Sequence, residues 1–282
     1  MAKIIDGKLI AAGIREGLKK KAAELAVKGI LPKLAVVLIG DDPASHTYVK
    51  MKEKGCAEIG ILSESIRRPA STTEDDVMAI VAGLNQDQSV SGILVQMPLP
   101  KHINEARVIN SILAHKDVDG LGIENAGKLY KGEKGGLRPC TPEGVIELIL
   151  STGMGISGKE AVVVGRSILV GKPIAMLLLE QQATVTTCHS RTKDLGAVTR
   201  RADILVTAIG KQKLITADMV KPGAIVIDVG TNRVNDKLVG DVDFETVEKV
   251  AGFITPVPGG VGPMTIAMLL KNCVLAAEKK AS

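Results

Sequence analysis

A serine, a tyrosine and a lysine share one helical face in Asp41-Asp42-Pro43-Ala44-Ser45-His46-Thr47-Tyr48-Val49-Lys50-Met51-Lys52. Asp42 reads as an N-cap and Pro43 as the first helical residue. From there Ser45, Tyr48 and Lys52 fall at i, i+3 and i+7, which sets a hydroxyl, an aromatic ring and an ammonium in a row. A flat heterocycle could stack on Tyr48 while Lys52 reached its reacting carbon. Lysine moves protons near neutrality only where burial lowers its pKa or a neighbour positions its proton. The blander reading is an amphipathic helix with a solvated lysine.

Two further segments could converge on this face. Gln96 stands near the carboxyl end of the apolar run Gly92-Ile93-Leu94-Val95-Gln96-Met97-Pro98-Leu99-Pro100, where α/β sheets bind ligands and where a polar side chain needs a partner. Lys116-Asp117-Val118-Asp119-Gly120 offers two carboxylates, either of which could grip an amide-like ring edge or close an Asx turn.

A second chemistry is written in Ala161-Val162-Val163-Val164-Gly165-Arg166-Ser167-Ile168-Leu169-Val170-Gly171-Lys172-Pro173, an apolar strand running into a turn and a helix. Gly165 would allow a sharp turn and Gly171 a close helix, so the helix start could meet a pyrophosphate. The match to G-x-G-x-x-G is imperfect: Ser167 replaces the second glycine and the last comes one residue late. The next strand ends in Thr187-Cys188-His189-Ser190-Arg191-Thr192, without the carboxylate that usually takes a ribose 2′-OH. Ser190, Arg191 and a returning Arg166 could instead hold a 2′-phosphate, which favours NADP over NAD.

These residues need a scaffold, and the pattern of apolar runs supplies one. Strands are predicted at 34–40, 63–68, 92–98, 161–166, 184–189, 204–210 and 224–230. Helices are predicted near 8–28, 43–60, 73–87, 104–114, 142–153, 171–182 and 263–279. The alternation predicts an α/β fold with parallel sheets and right-handed crossovers. Glycines and prolines crowd into 120–141, which reads as a domain border or loop rather than a packed element.

A chain of 282 residues has room for two domains. With two Phe, two Tyr and no Trp, its core must be aliphatic and few rings remain to stack bases. No like-charge block forms an arm, so nucleic acid is not expected as a partner. Nor is a membrane: no apolar run reaches the roughly 18 residues of a span, and the first residues lack a signal-peptide core. The four cysteines show neither a CxxC pair nor a metal-ligand spacing, which predicts reduced cytoplasmic thiols and no metal.

Taken together, the chain resembles the bifunctional methylenetetrahydrofolate dehydrogenase/cyclohydrolase family over nearly its whole length. The resemblance rests on Tyr48-xxx-Lys52, Val95-Gln96-Met97-Pro98-Leu99-Pro100, Lys116-Asp117-Val118-Asp119-Gly120, Pro139-Cys140-Thr141-Pro142 and Val163-Val164-Gly165-Arg166-Ser167. Thr186-Thr187-Cys188-His189-Ser190 and Thr255-Pro256-Val257-Pro258-Gly259-Gly260-Val261-Gly262-Pro263-Met264-Thr265 complete it.

It implies oxidation of 5,10-methylenetetrahydrofolate by NADP and hydrolysis of the methenyl product to 10-formyltetrahydrofolate, a step in purine biosynthesis. Lys52 would be the catalytic lysine, held by Gln96, with Tyr48 stacked on the folate and Asp119 on its pterin. Ser45, Pro258, Gly262 and Thr265 would join substrate binding. Gly165, Arg166, Ser167, Ser190, Arg191 and Thr231 would hold the cofactor. Arg191 stands where a lysine is common, and Thr231 varies among relatives. The family architecture is two α/β domains flanking a cleft: a folate-binding domain over 1–140, completed by a last helix over 263–282, and a Rossmann-type NADP domain over 141–262. Its members are usually homodimers. The competing readings are another NADP dehydrogenase of shikimate or amino-acid type, which gives Tyr48 and Gln96 no role, and a non-catalytic nucleotide-binding module.

Overall fold

Two parallel sheets organise the chain in a computed structural model that describes residues 1–235 and 237–280. In chain order the first elements are β1 (Lys3–Ile4), α1 (Gly7–Val27), β2 (Lys33–Ile39), α2 (Pro43–Ile59), β3 (Leu62–Arg68), α3 (Glu74–Gln86) and β4 (Gly92–Val95). Next come α4 (Glu105–Asn110), α5 (Ile123–Lys131), α6 (Cys140–Leu150), β5 (Glu160–Val164), α7 (Gly171–Glu180), β6 (Thr184–Cys188), α8 (Leu195–Thr199) and β7 (Ile204–Thr207). The last are β8 (Ile225–Asp228), β9 (Asn232–Val234), β10 (Lys237–Val239), α9 (Phe244–Val247), β11 (Phe253–Ile254) and α10 (Val261–Lys280).

The chain divides into two units. One comprises Gly13–Cys140 with the chain from Ile266 onward; the other comprises Met1–Ala12 with Thr141–Thr265. The sequence assigned 1–140 to a single domain, but the first twelve residues join the second unit. Their strand β1 pairs in parallel with β11, Lys3 opposite Phe253, at the edge of that unit's sheet. Positions 281 and 282 of the expected last helix lie outside the described residues.

The three-stranded unit has the order β3-β2-β4, all parallel. From β2 the chain goes to β3 on one side and then crosses to β4 on the other. The carboxyl ends of β2 and β4 therefore flank a topological switch point, the usual ligand position in such sheets. β2 and β4 are buried on both faces, as their unbroken Val/Ile/Leu runs require. Val77 and Val81 of α3 and Val108 of α4 pack with Val37 and Ile93 in one cluster. Helix α3 starts on a capping box between Thr73 and Asp76, and Lys116 closes its far end. The Lys116 Nζ donates to the carbonyls of Leu84, Asn85 and Asp87 at 2.9, 2.8 and 2.7 Å.

The six-stranded unit has the order β1-β11-β8-β7-β5-β6, again all parallel. Its switch point lies between β5 and β7, because β6 sits on one side of β5 and β7 on the other. This is the α/β, Rossmann-type arrangement expected from the alternating runs.

Two features depart from the sequence reading. Within the glycine-rich 120–141 stretch the chain forms α5, bounded by Gly122 and by Gly132 in a left-handed conformation. Its buried Asn125 is fully used, donating to the Ala114 carbonyl and Asp117 and accepting from the Leu137 N–H. The stretch is thus a packed element held by side-chain bonds. Helix α10 is long and apolar enough to cross a membrane by length and composition, yet most of it is buried within the protein. It serves as a core helix, with Leu270 and Ile266 against Gly55.

Candidate active site

Lys52 and Gln96 meet at the switch point of the three-stranded unit. Gln96 directly follows β4, and its N–H still donates to the Val37 carbonyl of β2 at 2.8 Å. Lys52 comes from α2, the helix after β2. Its start is fixed by Asp42, whose carboxylate accepts the Ser45 N–H at 2.8 Å with Pro43 in the first turn. The Lys52 Nζ donates to Gln96 Oε1 at 2.8 Å. Gln96 Nε2 donates to its neighbour's carbonyl, Met97 O, at 2.7 Å. That second bond fixes which end of the amide faces the lysine, so Gln96 presents an acceptor and aims the ammonium.

The electrostatics follow from burial. Desolvation pulls the Lys52 pKa down, opposed by the Asp119 carboxylate. Desolvation raises the Asp119 pKa, opposed by Lys52 and by a hydrogen bond from Cys140. The Cys140 thiol, pushed well up by burial and by Asp119, is held neutral, and its single S–H has two acceptors in reach, the Asp119 carboxylate and the Val118 carbonyl at 3.2 Å. The result is an ammonium and a carboxylate in a poorly solvated pocket, each shifted toward its neutral form.

The two carboxylates of the Lys116–Gly120 segment have separate tasks. Asp117 is almost wholly buried and accepts the N–H groups of Gly120, Leu121 and Gly122 at 3.1, 3.3 and 2.8 Å. It shapes the loop, and Asp119 is the one that reaches Lys52. Asn272 of α10 ties together the segments before α5 and before α6, donating to the carbonyls of Val118 and Arg138 at 2.9 and 2.8 Å. Sequence reasoning singled out neither Cys140 nor Asn272 for the site, because their partners lie far away along the chain.

The expected row on α2 is only partly realised. Tyr48, one turn before Lys52 on the same helix, is 48% exposed, whereas Ser45 is 2% exposed. Ser45 is the one buried residue in the first turn of α2, and its hydroxyl bonds to the Asp42 carboxylate.

The six-stranded unit carries the phosphate-binding turn. Gly165 has φ +132°, and a Cβ there would overlap the Ala208 carbonyl; one at Gly171 would overlap the Gly165 carbonyl. Both positions must therefore be glycine for α7 to start against the turn. No side chain outside the turn caps α7; Ser167 Oγ accepts the N–H groups of Val170 and Gly171 at 3.2 and 3.3 Å. The Gly165 N–H donates to the Cys188 carbonyl at 2.9 Å, which sets the turn beside the end of β6. Arg166, Ser190 and Arg191 are all exposed there, and no carboxylate closes β6. Exposed Thr231 follows β8, two strands away. A glycine cradle at the start of a helix and a basic, carboxylate-free strand end fit a dinucleotide carrying an extra phosphate. Pro258 and Gly262 are exposed and Thr265 is partly so. Gly262 and Thr265 lie in the first turns of α10, which begins two residues earlier than expected, and Thr265 Oγ1 is 2.8 Å from Thr141 Oγ1. Among the described residues no group of three or more His, Cys, Asp or Glu could hold a metal ion.

A Rossmann-type unit joined to a second parallel α/β unit that holds a lysine–glutamine pair at its switch point is the architecture of a two-domain dinucleotide-binding protein. Comparison with known proteins gives the family. The model for the tetrahydrofolate dehydrogenase/cyclohydrolase catalytic domain matches residues 5–119, and that for the family's NAD(P)-binding domain matches 139–281. The chain belongs to the tetrahydrofolate dehydrogenase/cyclohydrolase family. It is 57% identical to the bifunctional protein FolD of an Exiguobacterium species over 279 residues, 99% of this chain and 100% of the relative.

Among solved structures, the bifunctional FolD enzyme of Campylobacter jejuni superposes with a TM-score of 0.97 at 50% identity, covering 99% of each chain. The Trypanosoma brucei enzyme, solved with NADP cofactor and inhibitor, gives 0.95 at 39% identity, over 99% of this chain and 98% of that one. The shikimate dehydrogenase of Aquifex aeolicus, at 13% identity and a TM-score of 0.55, shares the fold alone.

Proposed function

We propose that the chain oxidises 5,10-methylenetetrahydrofolate with NADP and hydrolyses the methenyl product to 10-formyltetrahydrofolate, with Lys52 as the proton carrier. One observation carries this reading: a partly buried lysine of lowered pKa, aimed by Gln96 from 2.8 Å. The family membership supports both activities. NADP, when bound, supplies the hydride acceptor. Hydride can leave the methylene carbon because the two nitrogens beside it stabilise the cation that remains. Water then adds to the methenyl carbon. The water loses two protons as it becomes the formyl oxygen: Lys52 carries one to the ring nitrogen as its bond to carbon breaks, the other leaves to solvent, and Gln96 aims the Lys52 amine. A lysine of ordinary pKa would be held too tightly protonated to exchange that proton readily.

Tyr48 supports the pterin by stacking, and Asp119 takes its amide-like edge. Pro258, Gly262 and Thr265 are read as further substrate contacts. Gly165, Ser167 and Thr231 line the cofactor, while Arg166, Ser190 and Arg191 hold its 2′-phosphate. The 10-formyl product is a formyl donor of the kind purine biosynthesis consumes. Four buried free cysteines suit the cytoplasm. The outer edge of β3 is unpaired and largely exposed, which supports assembly as a homodimer, to be checked by the particle mass in solution.

The test is a paired assay with methylenetetrahydrofolate and either NADP or NAD, following nicotinamide reduction and 10-formyl formation. Arg166→Ala should raise the KM for NADP by about tenfold and that for NAD by much less. A uniform effect on both cofactors would contradict 2′-phosphate recognition.

A further inference from the structure

The carboxyl end of the six-stranded sheet holds two carboxylates that the reaction does not use. Asp228, the last residue of β8, is 4% exposed and Asp241, just beyond β10, is 0% exposed. Asp228 accepts the N–H groups of Gly230 and Asp241 on Oδ1 at 2.9 and 3.0 Å, and that of Val242 on Oδ2 at 2.9 Å. Asp241 accepts the N–H groups of Ile209 and Gly210 on Oδ2 at 2.8 and 3.1 Å, and that of Lys211 on Oδ1 at 2.8 Å. The Asn232 amide of β9 also donates to Asp241 Oδ1, at 3.1 Å. Nearly every acceptor position is filled by backbone from a loop.

Where those loops lie gives the arrangement its meaning. The 209–211 segment follows β7 at the switch point, and Ala208, just before it, has its carbonyl against Gly165. Gly230, held by Asp228, immediately precedes Thr231. Asp241 also carries the Asp228-bound N–H, so the two carboxylates act as one clamp. It joins the loop behind the phosphate-binding turn to the loop bearing Thr231. A buried pair meant only to stabilise the unit has no need to take its donors from these loops.

We propose that Asp241 is a positioning residue for NADP, fixing the loops after β7 and β8 at the distance the cofactor requires. This rests on the reading that Gly165 and Thr231 line the cofactor. Asp241→Asn is the sharpest probe, because each oxygen accepts two N–H groups and an amide nitrogen on either side faces donors. It should raise the KM and the dissociation constant for NADP by about tenfold. Cyclohydrolase activity, measured on methenyltetrahydrofolate without NADP, should stay within about twofold, because its acid–base pair belongs to the other unit.

Asn232→Ala is the milder partner, removing one donor while every backbone N–H keeps its acceptor, and should raise the NADP KM by about threefold. If Asp241→Asn does not fold, this second variant carries the test. Unchanged NADP affinity in a folded variant, or equal loss of both activities, would overturn the proposal. Arg166→Ala separates the two layers. If it weakens NADP and the clamp variants do not, the clamp is wrong and the cofactor site stands. If none of the three weakens NADP, the site itself is misplaced.

Discussion

Lys52 bears a charge in surroundings that disfavour it, and its behaviour with pH follows from that. Because its folded pKa lies below the ordinary value near 10.5, the charged lysine costs stability at neutral pH, and the cost disappears as pH rises toward 10.5. Lys52→Met should therefore melt higher than the wild type at pH 7, with the gap narrowing above the folded pKa; thermal melts across that range check it. An equal or lower melting temperature at pH 7 would mean that Asp119 and Gln96 fully offset the desolvation. That Gln96 needs a partner was legible in the sequence, since a glutamine ending a buried strand must find one; that the partner is Lys52 came from the family resemblance, and the two meet in a 2.8 Å bond. The division between Asp117 and Asp119 was not. Both carboxylates stand beside flexible glycines, and only the folded loop shows that one collects backbone N–H groups while the other faces the lysine. Helical spacing also placed Ser45 on the face of Tyr48 and Lys52, but spacing carries no information on burial, and Ser45 is buried where Tyr48 is exposed.

At the scale of elements, the loop after β4 is held by side chains that work as structural bonds. Asp117 gathers three backbone N–H groups and Asn125, and Lys116 closes α3 from the preceding position. Asp117→Ala would leave several buried donors unpaired and should destabilise the protein by about 3 kcal/mol. Because the same loop carries Asp119, cyclohydrolase activity should fall further than the loss of folded protein explains. Denaturant unfolding combined with activity per folded molecule would separate the two, and activity falling only in proportion would contradict the link. The long strands and helices could be read from period and length. Elements β1 and β11, two residues each, are too short to show a period, and α5 was hidden among glycines that turn out to cap it.

At the scale of the molecule, the two units are interleaved along the chain, and three helices carry it from one to the other: α1, α6 and α10. Motif order revealed the family and its two activities, but a boundary inside a helix leaves no composition change to detect. That is why the sequence did not show that the first twelve residues cluster with Thr141–Thr265. The central claim is a division of labour: the cofactor accepts the hydride, and one buried lysine manages the protons of hydrolysis. Assaying both reactions on Lys52→Gln tests it most directly. The expected result is a loss of cyclohydrolase activity of at least about a hundredfold, with NADP-dependent oxidation reduced by less than about tenfold. Equal loss of the two activities would contradict the account.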